Sequence, residues 1–151
     1  MPTNSSSTLS TLRAPLLTLK IRHWAKCRDV RTALDEARAW GAEAVNFLAS
    51  PTQLISRGLI FDRMMALRLP AIYQWPDMAE EGGLMGYGPG FLQVSRQRAR
   101  QVVKILRGVK PTDLPVEQPS KFELAINLRT AKALGHEIPA GLVLRADKVI
   151  E

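Results

Sequence analysis

The stretch 82–108, GGLMGYGPGFLQVSRQRARQVVKILRG, decides the fold class because its apolar period changes partway along. Leu84 to Tyr87 has the content of a short buried strand, and Pro89 and Gly90 break it. Beyond them a long basic helix is predicted, ending at Gly108. On that helix Arg96, Arg100, Lys104 and Arg107 share one face, roughly a quarter turn from an apolar stripe of Ala99, Val102 and Leu106, with Leu92 and Val103 at its border. The segment GYGPG offers a turn of close backbone approach, without the spacing of a phosphate-binding GxGxxG fingerprint.

The same alternation extends in both directions. Leu17, Leu19 and Ile21 alternate with Thr18, Lys20 and Arg22, which predicts a strand with one buried face over Leu16 to His23. Asp29 is placed to cap a helix in which Val30, Ala33, Leu34 and Ala37 recur until Gly41 stops it. AVNFLA at 44–49 suits a central strand, ended by Ser50 and Pro51. Leu54, Ile55, Leu59, Met64 and Leu67 mark a second helix, in which Gly58 costs roughly 1 kcal/mol against alanine. LPAIYQW at 69–75 reads as another buried strand, followed by a short acidic turn or helix carrying Asp77, Glu80 and Glu81. Downstream, Pro111, Pro115 and Pro119 imply an extended crossing segment. Phe122 to Leu128 reads as a last strand, followed by a short helix capped by Gly135, then a terminal amphipathic segment after Pro139. Strands separated by helices predict an α/β unit with a mainly parallel sheet.

A chain of 151 residues, 46% hydrophobic and 23% charged, has room for one such unit and not for two. Its net charge of +7 raises a nucleic-acid reading, but no aromatics interleave with the basic face of the long helix, so a solvated surface is expected and no nucleic-acid partner. The single cysteine, Cys27, makes no intrachain disulfide, and with His23 it supplies too few ligands for a metal. Residues 1–15 are Ser/Thr-rich and read as a disordered tail rather than an export signal, leaving 16–151 as the folded unit. No apolar run is long enough to span a bilayer, so no membrane insertion is expected.

In open α/β sheets ligands bind beyond the carboxyl ends of the strands, which selects the loops at 50–53, 74–77 and 86–91. Ser50, Thr52 and Gln53 offer hydroxyl and amide groups at a helix start, either to hold a polar ligand group or to cap the helix. Trp75 and Tyr87 could stack on a flat solute or pack internally, whereas Tyr73 reads as core. With Gly86 these make the candidate ligand set: Ser50, Thr52, Gln53, Trp75, Gly86 and Tyr87. The acidic cluster reads as solvated surface rather than an acid/base pair. No catalytic set assembles from His23, His136 or any Ser/His/Asp order, so neither an enzyme nor a cofactor is expected.

The elements GAEAVNFLASP, LPAIYQW, GGLMGYG, a helix ending KILRG and the long closing run LPVEQPSKFELAINLRTAKALGHEIP resemble, in that order, the second lobe and tail of ABC transporter substrate-binding proteins of the tryptophan- and tyrosine-binding type. The resemblance implies a three-layer Rossmann-like lobe, as in one half of a type I periplasmic binding protein. It also implies a small-molecule solute, an ABC permease as partner, and work outside the cytoplasm, although residues 1–15 carry no export address and leave a cytoplasmic location open. Members that bind aromatic amino acids often carry an acidic residue in the first loop to meet the ammonium, and ASPTQ has none.

The first lobe of the family, and the first strand and helix of the second, have no counterpart here. This predicts a truncated binding module whose half cleft binds weakly or not at all unless a homodimer, formed through the exposed sheet edge or the inter-lobe face, rebuilds it. It also predicts that the strand at Leu16 to His23 pairs with 44–49 or leaves a gap that a second copy fills. The alternatives are an α/β regulatory or interaction domain without a transport role and, less favoured, a basic nucleic-acid-binding module.

Overall fold

The computed structural model describes residues 30–151. The strand expected at Leu16 to His23, the His23/Cys27 pair, the Asp29 cap and the tail lie outside the described residues. Five short strands form one sheet in the order β1-β2-β3-β4-β5. They are Val45–Phe47, Ala71–Tyr73, Met85–Gly88, Glu123–Asn127 and Lys148–Ile150. β1, β2 and β3 run parallel, β4 is antiparallel to β3, and β5 is parallel to β4. The α/β class and mainly parallel sheet predicted from the sequence are therefore present.

The register lines Phe47, Tyr73, Gly86 and Ala125 into one row across the sheet, so these residues share a face. That face carries the main core. Leu34 from α1 (Val30–Ala39), Ile60 and Met64 from α3 (Arg57–Leu67) and Met78 from α4 (Asp77–Glu80) cluster with Phe47, Ala71 and Tyr73. Tyr73 stacks on Phe47 at 4.9 Å between centroids and takes the edge of Phe61 at 5.4 Å. A second cluster joins Leu84 to Ala131 and Leu134 of α6 (Leu128–Leu134).

Gly41 ends α1 and Gly135 caps α6, both at positive φ as their positions predict. The helix expected over 54–68 is instead broken at Ser56 into α2 (Pro51–Ile55) and α3. Gly58 then falls in the first turn of α3, where its helix cost is least felt. Arg68 ends α3 in the left-handed region at φ 50, a conformation that costs a branched or long side chain roughly 1–2 kcal/mol. The terminal amphipathic segment resolves into α7 (Ala140–Val143) and β5. β5 is held on the edge of β4 by a reciprocal pair, in which Leu124 N donates to Asp147 Oδ2 at 2.8 Å and Asp147 N donates to Leu124 O at 2.9 Å.

The connection leaving β2 crosses β3 at very short range. A Cβ on Gly86 would collide with Trp75 O and stand 2.7 Å from Pro76 Cα, and one on Gly88 would overlap Gln74 O. One on Gly83 would lie 2.7 Å from the Tyr73 ring. Because the obstacles at Gly86 and Gly88 are backbone, neither side can yield cheaply.

Gly86→Ala is expected to destabilise the fold by about 2–3 kcal/mol, whereas Gly58→Ala, with no atom within 4 Å of its added methyl, should be neutral or stabilising by about 0.5 kcal/mol; urea unfolding of the two variants tests the contrast. Burial pushes the Tyr73 hydroxyl well above the ordinary tyrosine value. The folded state therefore keeps this proton longer than the unfolded one. Its contribution is complete below about pH 10 and lost as pH rises above that, at about 1.4 kcal/mol per pH unit. Tyr73→Phe should lose correspondingly less stability than the parent between about pH 10 and pH 11, and equal alkaline losses in unfolding titrations would contradict this.

Candidate functional site

The carboxyl ends of β1, β2 and β3 point the same way, and the antiparallel β4 begins on that same rim, opposite Gly88. Four segments meet there: 48–53, 74–77, 87–91 and 121–123. Gln74 ties the first two, its Oε1 accepting from Ala49 N at 2.6 Å. Asp77 ties the second to the third, because its Oδ2 accepts from Phe91 N at 3.1 Å at the start of α5 (Phe91–Leu106). A carboxylate there also meets the positive end of the helix dipole.

The sequence-predicted residues lie in the backbone segments of this rim, with different exposures. Ser50 precedes α2, its carbonyl accepting from Gln53 N at 3.1 Å, and Thr52 lies in the first turn of that helix. Gln53 is buried. Trp75 is half-buried and meets the Phe91 ring edge-on at 5.4 Å. Tyr87 is 55% exposed, alternates to the opposite side of β3 from Gly86, and lies 6.1 Å from the Phe122 ring. Gly86 is buried beneath the backbone of Trp75 and Pro76, so its bare Cα positions Trp75 and presents no surface of its own.

The acidic cluster is not a pair. Asp77 caps α5, Glu80 pairs with Lys148 at 2.7 Å, and Glu81 pairs with Arg57. Three neighbouring carboxylates thus serve three different elements. Glu123, on the rim, is held by Lys121 at 2.5 Å, and that contact raises the Lys121 ammonium above its ordinary value.

Three rim contributors have roles that local sequence does not carry, although two of them, Asp77 and Phe91, lie in the loops that the carboxyl-end rule selects. Phe122 is brought beside Tyr87 only by the antiparallel β3–β4 pairing. Asp77 as a cap and Phe91 as a partner for Trp75 depend on the chain turning back over β3. The turn itself is fixed by Asn127, whose buried amide donates to Ala79 O at 2.8 Å and accepts from Thr130 N at 3.0 Å. Thr130 Oγ1 adds a bond to Gly82 O at 3.0 Å.

The rim is an aromatic and amide-bearing wall. An open groove of about 710 Å³ lies elsewhere, between α6 and α7, lined by Leu128, Ala131, His136, Ile138, Val143 and Leu144 among others.

Asn127→Ala removes the shorter bond to the buried Ala79 carbonyl, leaving it the longer one from Gly82 N at 3.4 Å, and removes the α6 cap, which should cost about 2 kcal/mol. Asp77→Ala removes one exposed-side cap and should cost about 1 kcal/mol. Denaturant midpoints of the two variants test this order, and a larger loss for Asp77→Ala would refute it.

The sequence profile described as "ABC transporter substrate binding protein" matches residues 44–150. Among solved structures, an ABC domain from Streptococcus pneumonia in complex with L-Trp superposes with a TM-score of 0.69 at 22% identity, over 80% of this chain and 41% of that one. A conserved domain protein from Vibrio cholerae O1 biovar El Tor superposes with a TM-score of 0.72 at 25% identity, over 80% and 40% respectively. A substrate binding protein with adhesive properties from Clostridium difficile, in its ligand-free, open form, gives 0.52 at 20% identity, again over 80% and 40%. The chain thus spans 40–41% of the length of these solved relatives. No curated protein matches.

Proposed function

The chain belongs to the ABC transporter substrate-binding protein family, and from that premise we propose that it supplies one wall of a solute-binding cleft, at the rim where β1, β2 and β3 end. The observation that carries this reading is the presence of two aromatic pairs, Trp75 with Phe91 and Tyr87 with Phe122, at the carboxyl end of the parallel strands, where ligands bind in open α/β sheets. The solute is a small molecule with a flat ring. L-tryptophan, which the Streptococcus relative holds, is the first to test.

In this reading Trp75 and Tyr87 offer ring surface, and the 50–53 segment meets the polar end of the solute through Ser50 rather than through the buried Gln53. Gly86 acts through Trp75 as a positioning residue. The rim carboxylates Asp77 and Glu123 already hold Phe91 N and Lys121, so this wall brings no uncommitted carboxylate from those two positions to an ammonium group. Closure requires a facing wall, from further polypeptide or from a second copy, and the loaded form is handed to an ABC permease outside the cytoplasm.

The test is an amide chemical-shift titration with L-tryptophan, L-tyrosine and indole. The expected result is weak binding, with shifts confined to 48–53, 74–77 and 86–91, and about tenfold weaker binding in Trp75→Ala and Tyr87→Ala. Shifts centred on the α6–α7 groove, or a titration unchanged in both variants, would refute the site. Micromolar affinity in a demonstrated monomer would refute the one-wall geometry.

A further inference from the structure

Helix α5 forms where the sequence places it, but it does not use its apolar stripe to hold on to the fold. Val94 is its only buried residue, with Ser95, Gln97 and Gln101 half-buried. At about 100° per residue, Val94, Gln97 and Gln101 occupy one flank, and the stripe of Leu92, Ala99, Val102, Val103 and Leu106 lies on another. That stripe is open: Leu92 is 56% exposed, Val102 53%, Val103 43% and Leu106 81%. Directly beside it runs the basic face of Arg96, Arg100, Lys104 and Arg107, all exposed.

The charge on this helix narrows what can cover the stripe. Phe91–Leu106 contains no acidic residue. Among the described residues, two acidic groups from elsewhere meet it: Asp77, which accepts from Phe91 N at its start, and Glu117, which lies 3.6 Å from Lys104 and accepts from Gln97 at 3.0 Å. A second copy docked stripe to stripe would bring two such basic faces together, which like-charge repulsion opposes. A duplex nucleic acid would satisfy the cations and leave the leucines and valines in water. A surface that is apolar within and anionic at its edge satisfies both halves.

We propose that α5 is an interfacial docking helix, which lays Leu92, Val102, Val103 and Leu106 into the headgroup boundary of an anionic lipid bilayer while Arg96, Arg100, Lys104 and Arg107 reach the lipid phosphates. The apolar contacts supply burial, and the adjacent cations supply attraction that salt weakens. This is attachment in the plane of the membrane and does not require a spanning segment, consistent with the absence, among the described residues, of any helix long and apolar enough to cross.

The test is co-sedimentation of the whole chain with vesicles of phosphatidylcholine alone and of phosphatidylcholine mixed with phosphatidylglycerol, at low and high salt. Two double variants accompany it, Val102→Asp with Leu106→Asp, and Arg96→Gln with Arg100→Gln. All four positions are exposed, and unchanged melting temperatures confirm that the fold is kept. The expected result is binding to the anionic vesicles only, weakened about tenfold or more by either double variant and by high salt. No preference for anionic vesicles overturns the proposal. So does vesicle binding that survives Val102→Asp with Leu106→Asp, because that is bare electrostatics and duplex DNA would serve as well. A concentration-dependent doubling of mass that the same variant abolishes, without vesicle binding, overturns it in favour of a second copy.

Discussion

The passage of the Gln74–Pro76 backbone across the glycine face of β3 is the constraint on which the rest of the structure depends. It is possible only because Gly86 and Gly88 carry no Cβ, and the cost is the extra chain entropy of glycine in a strand, roughly 0.5–1 kcal/mol each. In return the chain turns over β3 and sets α4 against β3 and β4. Met78 enters the core, and Ala79 O is delivered to the Asn127 amide. The same crossing presents Trp75 to Phe91 and Asp77 to the start of α5. One backbone approach thus fixes a core contact, a buried polar network and the aromatic wall together.

The polar ties around this crossing differ in weight. The Arg57–Glu81 and Lys148–Glu80 pairs are exposed on both sides, and exposed ion pairs are worth between nothing and about 1 kcal/mol. Asn127 is buried, and its amide both donates to Ala79 O, by a shorter bond than the one that carbonyl takes from Gly82 N, and caps α6 through Thr130 N. Stability therefore rests on the amide, while the carboxylates fix which element lies beside which. This is also why Asp77, Glu80 and Glu81, read in the sequence as a solvated surface cluster, each tie down a different element in space.

Local signals in the sequence were sufficient for the local structure. AVNFLA and LPAIYQW contain β1 and β2, Gly41 and Gly135 end their helices at positive φ, and Tyr73 is core as its run of apolar neighbours implies. The loops of the rim followed from the carboxyl-end rule once the strands were placed. What could not be read depends on pairing between distant residues. β5 is three residues long and exists because Asp147 and Leu124 exchange hydrogen bonds across the edge of β4. The reversal of β4, which brings Phe122 beside Tyr87, follows from how a proline-rich segment returns and leaves no periodic trace. Gly86 sits in a segment read as a turn of close backbone approach; the approach is made inside β3 by the backbone of Trp75 and Pro76, which leaves the glycine no surface to offer a ligand. The apolar stripe of α5 was visible as a pattern, but amphipathicity does not say which face the fold will use.

A wall of this kind has a calculable limit. Covering one face of an aromatic solute removes roughly 100 Å² of apolar surface from water, about half of what a whole aromatic side chain buries, and contributes about 2.5 kcal/mol. Fixing the solute's translation and rotation costs about 4 kcal/mol at the least. In the proposed reading a hydrogen bond from the 50–53 segment would replace one to water and add about 1 kcal/mol. The two sides of this account nearly cancel, so on the proposed reading the rim alone would orient a solute without retaining it. Retention requires the second face of the ring to be covered as well, which doubles the apolar term against the same entropic cost. The aromatic pairs at 75/91 and 87/122 therefore make physical sense as half of a closing site, and the affinity of the assembled cleft depends on how well the facing surface excludes water from the other side of the ring.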